Sequence, residues 1–347
     1  MKPSSILVLN KTIFSTSLKA DALLRLLPRG AYTTARTVGK HGVFEFETHV
    51  KRTAASCASL IGQDLSKFGG KLPNVATEEG LRPRLAASMQ LATIALRSQL
   101  KSFSSDTNDV KLTCLILTND VDIKHCCSSS GVLRSHIIDN DDSTSLDSRL
   151  ESAPISDDHG QVLLILHATL LPPRRSPPVK VQIAGAPRDN ALAKDSEWVR
   201  ARTSLEAAKG EDVEEVLLSV AEKGRVRVLE GTQTNVFALI GDVIYTAGGS
   251  DVLEGTVRRL VLEVCEKNNI PVIQEAPVLG RHEKDWDGAF LTSTSRLVLP
   301  IDEMEWKTEA EDGATRIVKQ SFNRSDKITM IERLVNEAVE SHSSMIL

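Results

Sequence analysis

Apolar residues along the chain alternate between short β-like runs and helical stripes. Ile6-Leu7-Val8-Leu9 is an apolar run that predicts a first strand, and Ala22 to Leu27 predicts a short helix ended by Pro28. Arg29-Gly30 leads into Ala31 to Val38, rich in β formers. Gly39 to Gly42 is a turn signal, and Val43-Phe44-Glu45-Phe46 alternates as the returning strand, so the pair predicts a hairpin. From about Thr48, Val50, Ala54, Cys57, Ala58 and Leu60 make the stripe of a helix. Pro83 to Lys101 is the clearest amphipathic helix, with Leu85, Met89, Leu91, Ile94, Ala95 and Leu100 at helical spacing. Val110 to Leu117 and Gln161 to Leu166 predict strands.

The stretch from about 136 to 160 is acidic and poor in apolar residues, which predicts an exposed insertion of the disordered type. Leu171 to Pro178 carries four prolines in seven residues and predicts a stiff connector. The chain thus divides into an N-terminal α/β domain at 1–170, a linker at 171–178 and a C-terminal domain at 179–347. In the latter, Val179 to Val181, Glu215 to Val220, Val226 to Val228, Val236 to Ile240, Asp242 to Thr246, Ile270 to Ile273 and Trp286 to Leu291 predict strands. Val257 to Lys267 and a segment from Ser325 or Asp326 to about Ser341 predict helices.

Composition narrows the class. The 347 residues are 41% hydrophobic and 25% charged with net charge −4, so no basic field draws in nucleic acid or a membrane. No apolar run approaches the ~20 residues of a membrane span. Five scattered cysteines give neither a disulfide framework nor a zinc pattern, and Cys126-Cys127 reads as a pair of free thiols on a surface loop. The first twenty residues contain Ser, Thr and Lys and no acid, as transit peptides do, yet Ile6 to Leu9 reads as a strand of the mature protein. The location expected is cytoplasmic, with organellar targeting left open. No metal ligand set is predicted.

Candidate chemistry gathers in the second half. Glu230 ends a β-rich run and precedes Gly231, Thr232, Thr234 and Asn235. Read alone, it is a strand-end acid facing water; if buried, it demands a cation or strong donor. Gly255 precedes a helix start, where free amides favour an anion. Thr292-Ser293-Thr294-Ser295 offers a row of hydroxyls that suits phosphate or a solvated turn.

These segments, in this order, resemble the class IV (fold type IV) pyridoxal-phosphate-dependent aminotransferases, a family that includes branched-chain aminotransferases, D-amino-acid aminotransferases and aminodeoxychorismate lyases. The likeness rests on Glu230 to Phe237, Leu253 to Arg258, Thr292 to Pro300, Arg29 to Arg36 with the Thr33-Thr34-Ala35-Arg36 of the lyase branch, and His49-Val50-Lys51-Arg52. It implies a two-domain α/β fold, an N-terminal α/β sandwich and a C-terminal α/β pseudo-barrel, with pyridoxal 5'-phosphate as cofactor. It implies Lys194, 36 residues before Glu230, as the Schiff-base lysine, and Glu230 as partner of the ring nitrogen. Arg52 would hold the phosphate, with the amides of Thr256 and Val257 and the hydroxyl of Thr294. Thr234, Asn235, Leu253, Gly255, Ser293 and Ser295 complete the expected cofactor contacts, and Tyr32, Thr34 and Arg36 the substrate side.

Two departures stand out. Val257 replaces a Thr common in the family, and the strand Lys111 to Leu117 lacks an arginine to hold a substrate carboxylate, leaving Arg36, Lys111, Arg188 and Arg296 as candidates. The expected activity is transfer of an amino group from an amino acid or amine to a 2-oxo acid, by a homodimer. The alternatives are a lyase of the aminodeoxychorismate type and a degenerate relative that binds without turnover.

Overall fold

The computed structural model describes residues 5–62, 72–100, 108–138, 145–157, 160–222, 225–280, 285–309 and 315–347. The chain forms two compact units: Met1–Pro172 with Ala193–Arg200 and Glu340–Leu347, and Pro173–Leu192 with Ala201–Val339. Lys194 therefore belongs to the first unit, although it follows the proline-rich connector in sequence.

In the first unit the elements are β1 (Ser5–Leu9), β2 (Thr12–Thr16), α1 (Ala20–Leu26), β3 (Ala31–Val38), β4 (Gly42–Phe44), α2 (Phe46–Ile61), α3 (Glu78–Leu100), β5 (Val110–Leu117), α4 (Asp120–Cys127), β6 (Ile137–Ile138), α5 (Leu146–Glu151), β7 (Ile155–Asp157) and β8 (Gly160–Leu170). The last strand of the chain, described below, returns to pair with β4. The sheet is antiparallel around β3, β5, β8 and β1, and strand alternation gives it two apolar faces. Ala31, Ala35, Leu112, Cys114, Leu164, Leu166, Ile6 and Val8 pack with α2 and α3. Tyr32, Leu115, Leu117, Ile165, Leu7 and Leu9 pack with α1 and α4 on the other face. A sheet buried on both sides explains why β5 and β8 read as continuous apolar runs.

Three expectations change here. Ser145 to Asp157, assigned to an exposed insertion, contains α5 and β7. Leu150 and Ala153 are fully buried, so two apolar anchors outweigh acidic flanks; residues 139–144 and 158–159 of that stretch lie outside the described residues. Cys126 and Cys127 are buried in α4 rather than on a loop, because Ile123, Cys126 and Cys127 form its inward face. Ile94, placed on the apolar stripe of α3, is 58% exposed, while Leu81, Leu85, Ser88, Met89, Ala92 and Leu96 face inward.

The second unit begins with β9 (Lys180–Gly185). After the short helix α6 (Glu197–Ala201), nearly all of it in the first unit, α7 (Thr203–Ala208) precedes β10 (Val213–Glu222), β11 (Arg225–Gly231), β12 (Asn235–Ile240), β13 (Val243–Tyr245), α8 (Thr256–Lys267), β14 (Val272–Ile273), β15 (Val278–Gly280), β16 (Gly288–Ser293), β17 (Leu297–Ile301), β18 (Glu303–Glu309), β19 (Thr315–Ser321) and α9 (Asp326–Ser341); β20 (Ser343–Met345) belongs to the first unit again. The sheet runs β14-β13-β12-β11-β10-β9-β18-β19, and branches where β15 joins β11 and β16 joins β12. The branch matters. The start of β11 pairs with β15, and its last residues meet β12 only at Glu230 opposite Asn235. The hairpin β18–β19 was not foreseen; its strand alternates Glu with Met304 and Trp306, a pattern that charge disguises.

Candidate functional site

Strand parity builds the site of the second unit. Residues directly opposite across a sheet share a face. Glu230 lies opposite Asn235, and Asn235 opposite Thr292. Two residues along, Phe237 lies opposite Phe290 and the rings stack at 4.7 Å. On the opposite face, Val236, Ala238, Leu291 and Ala289 belong to the apolar core. So the same alternation that fills the core places one acid, one amide and one hydroxyl together at the end of the rung.

The loop before α8 closes on that rung. Asn235 Nδ2 donates to Leu253 O at 2.8 Å, and Leu253 N donates to Glu230 Oε2 at 3.1 Å. Gly255 then caps α8 with no side-chain hydrogen bond, and no acid occupies the first turn. A side chain at Gly255 would run into Asn235 Oδ1, so glycine is required by close approach rather than by dihedral angle, φ being −67°. The first amides of α8 are left for an anion. Thr256 and Thr294 bring their hydroxyls to 3.1 Å of one another. Ser293 Oγ accepts from Arg296 N at 3.2 Å and lies 3.5 Å from Ser295 Oγ, which shapes the turn. Thr234 and Thr292 keep buried hydroxyls without a hydrogen-bond partner among the described residues.

Glu230 is only 4% exposed. Arg188 Nε donates to its Oε1 at 2.7 Å. Arg188, a candidate for the substrate carboxylate, is thus engaged with the acid instead. Arg296, another candidate, donates to Glu214 at 2.6 Å and lies 3.5 Å from Glu215. Arg258 runs fully buried from the helix to Ala247 O, Gln274 and Glu254; burial lowers its pKa despite the partial offset by Glu254 and Glu230.

In the first unit, Lys194 is stitched to the edge of β3. Tyr32 N donates to Lys194 O at 2.9 Å, Ala31 and Asp195 form a bridge, and Gly30 exchanges hydrogen bonds with Ser196. Lys194 N donates to Ser56 Oγ of α2 at 3.0 Å. This fixes the backbone and leaves the ammonium 4.7 Å above the Tyr32 ring. Tyr32, Thr34 and Arg36 alternate onto one face of β3; Arg36 pairs with Asp109 at 2.5 Å.

On the other face, Thr33 Oγ1 lies 2.8 Å from His49 Nδ1, and Arg52 Nη2 donates to Thr33 Oγ1 at 3.2 Å. His49 is fully buried. Burial first, then Arg52 and Lys194, hold its pKa well below the usual imidazole value. A neutral imidazole with Arg52 Nη2 3.4 Å from Nδ1 is an acceptor for that guanidinium. This role of His49 was not read from the sequence, where His49-Val50-Lys51-Arg52 pointed only to the arginine; nor was the pairing of Arg188, which follows from a turn rather than from a motif.

The amino-transferase class IV family matches residues 123–304 of the chain. The fold is similar to that of the branched-chain aminotransferase from the thermophilic archaeon Thermoproteus uzoniensis with norvaline, at TM-score 0.61 and 15% identity over 99% of both chains. It is similar to the T.th. branched-chain amino acid aminotransferase complexed with N-(5'-phosphopyridoxyl)-L-glutamate, at TM-score 0.60 and 15% identity over the whole of both chains. A hypothetical aminotransferase from Mycobacterium tuberculosis in a PLP-bound form matches at TM-score 0.60 and 17% identity, over 97% of this chain and 99% of that one.

Proposed function

The chain belongs to the class IV aminotransferases, which use pyridoxal phosphate, and from that premise we propose that it is a transaminase working through Lys194 and Glu230. The carrying observation lies within the second unit. One short loop, Leu253 to Thr256, both donates to the buried carboxylate of Glu230 and opens the uncapped N-terminus of α8. An acid for a ring N–H and amides for a phosphate are therefore set at fixed spacing by one piece of backbone.

The residues present fit that cofactor. Glu230 retains acceptor capacity beyond its contacts with Arg188 and Leu253, since a carboxylate offers about four lone-pair sites. The amides of Thr256 and Val257, with the hydroxyls of Thr256 and Thr294, are offered to the phosphate. Asn235 and Gly255 hold the loop, and the hydroxyls of Thr234, in the turn between β11 and β12, and of Thr292, in β16, have no hydrogen-bond partner among the described residues. Val257 is buried and contributes only its amide. By the resemblance, Arg52 would bind the phosphate and Lys194 the cofactor's aldehyde carbon. When bound, pyridoxal phosphate supplies an electron sink for the carbon that loses its proton.

The chain's own residues do the rest. Lys194 moves the proton at the donor's α-carbon, Glu230 holds the proton on the ring nitrogen, and Tyr32 and Thr34 shape the substrate side with Arg36. The amino donor is an amino acid or amine and the acceptor a 2-oxo acid. The homodimer and the cytoplasmic location remain part of this proposal and rest on the resemblance and on composition alone.

Protein purified with pyridoxal phosphate is expected to be yellow and to turn over an amino donor from a panel. Lys194→Ala is expected to lose the visible band, and Glu230→Gln to keep it while transamination falls steeply. A wild-type protein that takes up no cofactor would overturn the proposal; full activity in Glu230→Gln would overturn the role of Glu230.

A further inference from the structure

Glu230 has a partner that the motif around it does not announce. Arg188 Nε donates to Glu230 Oε1 at 2.7 Å, and the side chains are only 7% and 5% exposed. Arg188 Nη2 donates to Ala191 O at 2.5 Å, three residues on. The turn that allows this passes through Asn190 in the left-handed region, φ 50°, a conformation that Asn tolerates better than most residues. Leu253 N holds the second carboxylate oxygen at 3.1 Å. Guanidinium and carboxylate are thus each fixed by backbone as well as by one another.

The chemistry of this pair is directional. A carboxylate buried alone recovers from its lost hydration by taking up a proton. A guanidinium does not surrender its own proton in a protein, so it answers the buried charge permanently. Resting on the reading that Glu230 meets the cofactor's ring nitrogen, we propose that Arg188 is a positioning residue that keeps Glu230 an anion and so fixes the shared proton on the ring rather than on the carboxylate. A proton between a pyridine nitrogen and a carboxylate goes to the group of higher proton affinity. Pairing the carboxylate with Arg188 lowers its affinity and tips that balance to nitrogen. Arg188 touches no reacting atom; it acts 42 residues away in sequence, through Glu230.

The test has two parts. The first uses the cofactor-free protein and thermal unfolding of Arg188→Leu, Glu230→Gln and the double variant. Arg188→Leu strands a buried carboxylate and is expected to lower the midpoint by roughly 5–10 °C. The double variant is expected to recover part of that loss, because the stranded charge is gone. Additive losses would show that the two side chains do not act as a pair and would overturn the proposal.

The second part follows the visible spectrum of the cofactor-loaded protein against pH. Arg188→Leu is expected to keep its colour, to move the pH of its spectral change by about one unit or more, and to lose turnover roughly 10–100-fold, as residues that orient a functional group do. Arg188→Lys, which retains charge without the planar fork, is expected to fall between wild type and Arg188→Leu; it also serves as the informative variant if Arg188→Leu does not fold. A spectral titration that moves in Glu230→Gln but in neither Arg188 variant would overturn the role of Arg188 alone. A titration unmoved in every variant, with coupled unfolding retained, would overturn the assignment of Glu230 and the proposal with it.

Discussion

Single atoms decide much of the second unit. Gly255 has ordinary backbone angles, and its lack of a side chain matters only because Asn235 approaches so closely. Gly255→Ala is expected to cost about 1–3 kcal/mol through overpacking and to weaken cofactor uptake by displacing the first turn of α8. Thermal unfolding and a titration with pyridoxal phosphate would show both effects; an unchanged affinity would mean that the turn does not hold the phosphate. Glycine at that position was legible from the pattern Leu253 to Arg258, as was the acid at 230. What the sequence did not disclose was the state of the acid. Burial of Glu230 depends on strand parity across three strands, and Arg188 reaches it through a turn at Asn190, neither of which is written in local composition. The two buried hydroxyls of Thr234 and Thr292 are similar: their place in hydroxyl-rich stretches was readable, their burial without a partner among the described residues was not.

Whole elements were legible in proportion to their apolar contrast. α8 and α9 formed within a residue of their expected bounds, and the β3–β4 hairpin formed at the expected glycines, although β4 stops at Phe44 and Phe46 already opens α2. Charge-rich strands were missed, because Glu303 to Glu309 in β18 reads as a solvated segment until Met304 and Trp306 are seen to share a face. The last strand, Ser343–Met345, carries no apolar signal either, yet it completes the edge beside β4. It also brings His342 to Glu45. Glu45 sits in the left-handed region at the start of α2, accepts from His342 Nδ1 at 2.8 Å and from Thr48, and its amide donates to His342 O. The helix that follows carries His49 and Arg52. His342→Ala is expected to leave the buried Glu45 short of a donor, at a cost of about 1–3 kcal/mol. Faster hydrogen exchange in the first turn of α2 is the readout, and exchange at the wild-type rate would contradict the link.

The whole molecule is expected to respond to acid through its first unit. His49 and His167 are both buried there. Burial brings His167 to about 4, against the opposing pull of the Leu18 carbonyl, with Lys111 lowering it and Asp21 raising it further from the flanking elements. In the unfolded chain such an imidazole binds a proton near 6.5. The unfolded state therefore gains protons first as the pH falls, and stability present above about 6.5 is lost on the way to 4. His167 alone is expected to contribute on the order of 3 kcal/mol to that loss. Denaturant unfolding at successive pH values, with His167→Gln as comparison, would reveal it; a flat profile between neutrality and pH 4 would refute it. The cysteines carry the last consequence. All five are buried, and burial pushes Cys57 and Cys127 to about 12, Cys265 to about 11, and Cys114 and Cys126 upward as well. Oxidants and alkylating agents attack the thiolate, which the folded chain scarcely presents. Chemical ageing of this protein is therefore gated by how often it opens: its redox lifetime is set by its unfolding rate, four thiols timing the first unit and Cys265 the second.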